Sequence, residues 1–251
     1  MCYILYDASL NSDIHAAIGT GLPIKKLFDP LFLKTQQLVD KVAQGRGETI
    51  FFRVNESRLV LRHYHRGGLA AKVCSDRYLW LGLKYTRAYR ELAVLLSLSA
   101  SNLSAPKPFA ARVICDGCCY RADIITHALA DTETLSERLQ YGVIDNAVWQ
   151  KIGETITKFH REGVYHADLN AHNILLNSNN DVFIIDFDKA RFKDPNNASW
   201  RQRNLQRLQR SLTKLNKNST IFYFNDKNWA QLERSYYSAW SAALTVSDKL
   251  L

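Results

Sequence analysis

At 251 residues and 47% hydrophobic content, the chain can bury one large core or two modest ones, and it is too short for a long array of modules. Its 33 Lys and Arg against 24 Asp and Glu give a formal charge of +9, which favours anionic partners without choosing among nucleic acid, acidic lipid and small phosphorylated or carboxylated molecules. No apolar run reaches the ~20 residues of a membrane-spanning helix, and residues 1–13 lack a signal peptide's basic start, so a cytoplasmic chain with at most peripheral membrane contact is expected.

Apolar positions Leu31, Leu38, Val39 and Val42 predict a short helix over 31–44 that ends at Gly45. The β-type runs 49–54 and 58–64, separated by Asn55-Glu56-Ser57, read as an antiparallel pair that Arg66-Gly67-Gly68 breaks. From Thr86 to about Leu98 the pattern is helical, with Ala88, Leu92, Leu95 and Leu96 recurring, and Pro106 and Pro108 close that region. Strands over 109–114 and 120–127 flank an Asp116-Gly117 hairpin turn. That turn accounts for the Cys115-x-x-Cys118 spacing, since no second such pair exists to complete a zinc site. With Cys2, Cys74 and Cys119 the cysteine count is five, odd and without framework spacing, which suits a reducing compartment.

After Asp131 the character changes. Helices are predicted over 134–141 and 146–161, then a polar loop, short strands over 174–176 and 182–185, and mostly helix from Trp200 onward. The fold class is α+β: an antiparallel-sheet first domain, 1–130, and a mainly helical second one, 131–251, with a nucleotide expected in the cleft between them.

The chemistry lies in residues 166–191, which hold His166-x-Asp168, Asn173 five residues after that Asp, and Asp186 at the end of the apolar run Val182-Phe183-Ile184-Ile185. Phosphoryl transfer from a nucleoside triphosphate needs these parts: a carboxylate at the acceptor hydroxyl, assigned to Asp168, and two oxygen ligands for magnesium, assigned to Asn173 and Asp186. His166 is expected to bond the loop backbone, and His172 to be structural.

His166-x-Asp168-x4-Asn173 followed by Asp186-Phe187-Asp188 resembles the catalytic and metal loops of the protein-kinase-like superfamily, whose fold has an antiparallel N-lobe and a helical C-lobe. Gly45-Arg-Gly47, the run from Leu59 to Gly68, Thr86-Arg-Ala-Tyr-Arg-Glu91, the run from Tyr165 to Leu176 and Ile185-Asp-Phe-Asp188 are more closely similar to the 3-deoxy-D-manno-octulosonic acid (KDO) kinases of lipopolysaccharide core assembly in Gram-negative bacteria. The similarity runs from about residue 45 to about 215. It implies transfer from ATP, with Mg2+, to the 4-hydroxyl of a KDO residue on a lipid A precursor. It further implies a catalytic Asp168, Glu91 as the N-lobe helix glutamate, and Gly45 and Gly47 in the phosphate-covering loop. The phosphate-anchoring cation is open between Arg62, which takes the strand Lys position and is favoured, and Lys72.

The departures narrow the acceptor. Ala167 stands where protein kinases usually carry Arg, Asn170 where they carry Lys, and Asp188 where they carry Gly, and no Ala-Pro-Glu follows. A phospho-switched protein kinase is disfavoured, and a small-molecule or glycolipid acceptor is expected. The alternatives are a kinase of aminoglycoside-phosphotransferase type and a membrane-associated pseudokinase. Residues 199–217 carry six basic side chains and no acidic one, with Leu205, Leu208, Leu212 and Leu215 on one helical face. Leucines facing the core leave the basic face either solvated or set against an anionic surface, such as the inner leaflet or the glycolipid. A peripheral location on the cytoplasmic side of the inner membrane follows as an expectation. Nucleic acid is not expected as a partner, for no reading motif accompanies the charge.

Overall fold

The computed structural model describes residues 1–6, 22–44, 47–66 and 75–247; Gly45, Gly67, Gly68, Lys72 and Cys74 lie outside the described residues. The chain divides into two compact units, Met1–Ser99 with Pro106–Leu129, and Ala100–Ala105 with Ala130–Leu251.

The first unit contains β1 (Cys2–Leu5), a 3-10 helix (Ile24–Phe28), α1 (Pro30–Thr35), β2 (Val39–Gln44), β3 (Glu48–Val54), β4 (Ser57–His63), β5 (Tyr78–Leu79), α2 (Arg87–Ala100), β6 (Pro108–Asp116) and β7 (Cys119–His127). Its seven-stranded antiparallel sheet runs β1-β6-β7-β4-β3-β2, with β5 on β7. Period-two alternation puts Ile50, Phe52 and Val54 of β3 and Leu59 and Leu61 of β4 on one face, where they pack with Leu27, Phe28 and Leu33. Val60 and Arg62 therefore belong to the opposite face.

Two expectations are corrected here. The helix expected over 31–44 is helical only from Pro30 to Thr35, capped by Asp29. Gln37, at φ +55, turns the chain out of the helical path, and residues 39–44 pair with β3. Leu38, Val39 and Val42 fit a helical period, but the register of β2 on β3 shifts between Val39 and Lys41, so Val39 and Val42 pack against the same core from a strand, with Leu38 just before it. A short helix in water is marginal where a strand edge offers a ladder. Strands β1 and β5 were also not expected; β1 extends the sheet beyond β6, with Tyr3 opposite Val113. The hairpin turn falls at Gly117-Cys118, because Asp116 and Cys119 are still paired.

The second unit contains β8 (Thr132–Thr134), α3 (Leu135–Tyr141), α4 (Asn146–Arg161), β9 (Val164–Tyr165), β10 (Ile174–Asn177), β11 (Val182–Ile184), β12 (Arg191–Phe192), α5 (Ala198–Asn218) and α6 (Asp226–Ser247). α3 begins in a capping box, in which Thr134 and Glu137 satisfy each other's backbone N–H groups. α4 buries Trp149, Ile152, Ile156 and Phe159, and it lies against α6. The close approach depends on Gly153, where a Cβ would stand 2.4 Å from the Leu232 carbonyl oxygen. β11-β10-β8 and β12-β9 form two small sheets that hold both ends of the polar loop between β9 and β10.

Candidate active site

The loop that follows β9 is pinned by its own histidine. His166 is 4% exposed; its Nε2 donates to the Ile185 carbonyl (2.9 Å) and its Nδ1 accepts from the Asp168 N–H (3.2 Å). Acceptance at Nδ1 requires the neutral imidazole, with its proton on Nε2. Burial lowers the pKa of His166, against the opposing pull of the Ile185 carbonyl, Asp186 and Asp168. Ile185 N–H in turn donates to the Asn173 carbonyl (3.0 Å). Ile185 is thus held through both its backbone N–H and its carbonyl, and the next residue, Asp186, lies in the left-handed region at φ +68. Asp tolerates that conformation better than branched residues do, and it is a common expense of functional loops.

Asn173 donates its amide to the Asp168 carbonyl oxygen (2.9 Å), as Asn170 does (3.0 Å). With the Asn173 amide group spent inward, its Oδ1 remains for a cation. Oxygen donors from Asn173 and Asp186 fit magnesium, which keeps few protein ligands and takes the rest from phosphate and water. Among the described residues no group of three or more His, Cys, Asp or Glu could hold a metal ion by itself.

A second support comes from α5. Asn204, 1% exposed, accepts from His166 N–H (3.2 Å) through Oδ1 and donates through Nδ2 to the His166 carbonyl (2.7 Å). The same Oδ1 meets His160 Nε2 (3.2 Å), and His160 Nδ1 meets the Tyr236 hydroxyl (2.9 Å). Burial drives the His160 pKa down to about 3, so His160 stays neutral.

Asp168 itself is bound by Arg207 of α5, whose Nη2 (2.7 Å) and Nε (3.2 Å) both donate to Oδ1. Burial is the largest influence on the Asp168 pKa and raises it, but the hydrogen bonds and charge of Arg207, with Asn170 and His166, bring it below the ordinary value. The six basic residues of the helix divide accordingly. Arg203, Arg207, Arg210, Lys214 and Lys217 are exposed. Arg201 is not on the solvated face expected for it: it is 8% exposed, with its guanidinium 3.6 Å from the Trp240 ring centroid.

In the first unit Arg62 Nη2 donates to Glu91 Oε1 (2.5 Å), and the Tyr64 hydroxyl donates to Glu91 Oε2 (2.6 Å). Glu91 is 2% exposed, so both carboxylate oxygens are satisfied where an unpaired charge would be costly. Burial, followed by Glu91, raises the Tyr64 pKa well above its usual value. Arg62 and Glu91 are therefore brought together, whereas Lys72 and Gly45 lie outside the described residues. Gly47 lies under the ring of His65, 2.1 Å from which a Cβ would fall. His172 is exposed, its N–H bonded to Asn170 Oδ1 (2.9 Å).

Three participants escaped the sequence reading although a signal existed for each. Tyr64 is two residues beyond Arg62, on the same side of an extended chain. Arg201 and Asn204 sit in the register of Leu205, Leu208 and Leu212, and polar residues in an apolar helical stripe mark buried polar contacts.

A loop that ties Asn173 to the backbone of Asp168, in a chain that also carries an antiparallel sheet with a strand cation paired to a helix glutamate, has the features of a kinase-like α+β phosphotransferase. A model of the Lipopolysaccharide kinase (Kdo/WaaP) family matches residues 31–236, and the chain belongs to that family. It is 38% identical to a 3-deoxy-D-manno-octulosonic acid kinase of Vibrio parahaemolyticus, over 76% of this chain and 80% of the relative. It is 41% identical to one of Stenotrophomonas maltophilia, over 78% of each chain. A third, from Photobacterium profundum, is 38% identical over 84% of this chain and 89% of the relative.

Proposed function

We propose that this chain transfers the γ-phosphoryl group of ATP to the 4-hydroxyl of a KDO residue on a lipid A precursor, in lipopolysaccharide inner-core synthesis of a Gram-negative bacterium. The observation that carries the reading is the Asp168 loop: a half-exposed carboxylate on a backbone immobilised by His166, Asn170 and Asn173. In this reading Asp168 accepts a hydrogen bond from the acceptor hydroxyl and turns its lone pair toward the γ-phosphorus. The acceptor oxygen bonds to phosphorus as the bond to the β–γ bridging oxygen breaks. ADP departs, and the hydroxyl proton passes to Asp168. Arg62, kept in place by Glu91, is the nucleotide-phosphate cation of the first unit. Asn173 and Asp186 would hold Mg2+, which supplies charge neutralisation at the phosphates.

The exposed cations of α5 support peripheral attachment to an anionic inner leaflet on its cytoplasmic side. Among the described residues no helix is long and apolar enough to cross a membrane. Co-sedimentation with anionic vesicles should weaken steeply with salt; salt-independent binding would count against attachment. The central test is purified protein with γ-labelled ATP and a KDO-bearing lipid A precursor. Label is expected in the lipid with the wild type and lost with Asp168→Ala; no transfer by the wild type overturns the reading.

A further inference from the structure

We infer that Arg207 binds the carboxylate of the acceptor and, in doing so, gives up Asp168 to the acceptor hydroxyl. The inference rests on the proposal that the acceptor is a sugar acid, whose ring carries a carboxylate and hydroxyls together. Its starting point is the way Arg207 meets Asp168. Nε and Nη2 both reach the same oxygen, Oδ1, so the two-oxygen fork by which a guanidinium grips a carboxylate most firmly is incomplete. Nη1 of Arg207 has no hydrogen-bond partner among the described residues. The two side chains are 45% and 39% exposed, a setting in which exchanging one anionic partner for another costs little.

The surroundings favour an anion. Arg203 and Arg210 lie one turn to either side of Arg207 on the exposed stripe, and no acidic residue occurs in α5. On the loop itself Asn170 is neutral and uses its amide on the Asp168 carbonyl, so Arg207 is the side-chain cation that hydrogen-bonds the Asp168 carboxylate. A carboxylate taken up by Arg207 would therefore set a hydroxyl of the same ring beside Asp168, within the reach of one guanidinium group. Turning the donors of Arg207 to the substrate frees Oδ1 of Asp168, which Nε and Nη2 otherwise occupy, for the acceptor hydroxyl.

The test compares kcat/KM on the KDO-bearing acceptor and on the same acceptor with its KDO carboxylate converted to the methyl ester. Loss of a charge-assisted pair predicts that the wild type prefers the acid by about 10- to 100-fold. Arg207→Gln should bring that preference close to one. Arg207→Lys, which keeps the charge and loses the fork, should give an intermediate value. Variants that retain the full wild-type preference overturn the assignment to Arg207, and a wild type without any preference overturns carboxylate recognition. A wild type that phosphorylates neither acceptor overturns the phosphotransfer reading, and this inference with it.

Discussion

In its proposed role Asp168 combines two demands that pull its pKa apart: it must remain ionised to receive a proton, yet be basic enough to take one. Burial raises its pKa, and Arg207, Asn170 and His166 together more than reverse that, leaving it below the ordinary carboxylate value of 3.8. A folded-state pKa depressed in this way means the ionised form is lost only as pH falls through that lowered value. The pH profile of kcat/KM should accordingly have no Asp168 limb between about pH 5 and 8. In Arg207→Gln the raising effect of burial is left unopposed by the guanidinium, and an acidic limb should move upward into the measurable range. Removing the carboxylate as Asp168→Ala should cost about 10²- to 10⁴-fold in kcat. Asn204 tests the support beneath: Asn204→Ala leaves the buried N–H and C=O of His166 without partners. We expect a loss of about 2–4 kcal/mol by urea denaturation, with kcat falling more than KM rises.

At the scale of elements, α5 is divided lengthwise. Leu205, Leu208 and Leu212 are buried with Arg201 and Asn204, and Arg203, Arg207, Arg210, Lys214 and Lys217 occupy the opposite side. Leu208→Ala should cost about 2–5 kcal/mol, and Arg203→Gln should change stability by no more than about 0.5 kcal/mol while weakening vesicle binding. The junction of α4 and α6 is equally specific. Gly153→Ala forces a methyl group onto backbone, not onto a side chain that can rotate away, and about 1–3 kcal/mol of stability should be lost. Period 3.6 in the leucines made α5 legible in the sequence. The same periodicity misled over residues 31–44, because a strand edge unseen in the local pattern decided the state of Val39 and Val42.

Across the whole molecule the histidines titrate against each other. His63 hydrogen-bonds Asp123 (2.7 Å) and Asp76 (3.3 Å), and the bond to Asp123 chiefly raises its pKa above 6.5. Its contribution to stability is complete below pH 6.5 and is lost as pH rises through the raised value. His160 runs the other way: its folded pKa is about 3, so the unfolded chain binds a proton the fold refuses, and stability falls as pH drops from 6.5 toward 3. Urea midpoints measured against pH should decline on the acid side for the wild type. His160→Gln should be less stable at neutral pH but show a shallower acid decline.

The class of enzyme was legible in the sequence, and His166, Asp168, Asn173 and Asp186, the residues proposed for phosphoryl transfer, occupy one short stretch whose strand and loop are set by local pattern. So were the hairpin strands and most helices, since alternation and 3.6-residue periodicity are local properties. Tertiary structure decided what joins residues far apart in sequence: Arg62 and Tyr64 on the two oxygens of Glu91, Asn204 on the backbone N–H and carbonyl of His166, and Arg207 on Asp168. A buried polar group must find a partner wherever the packing brings one, and no spacing rule names that partner before the chain has folded.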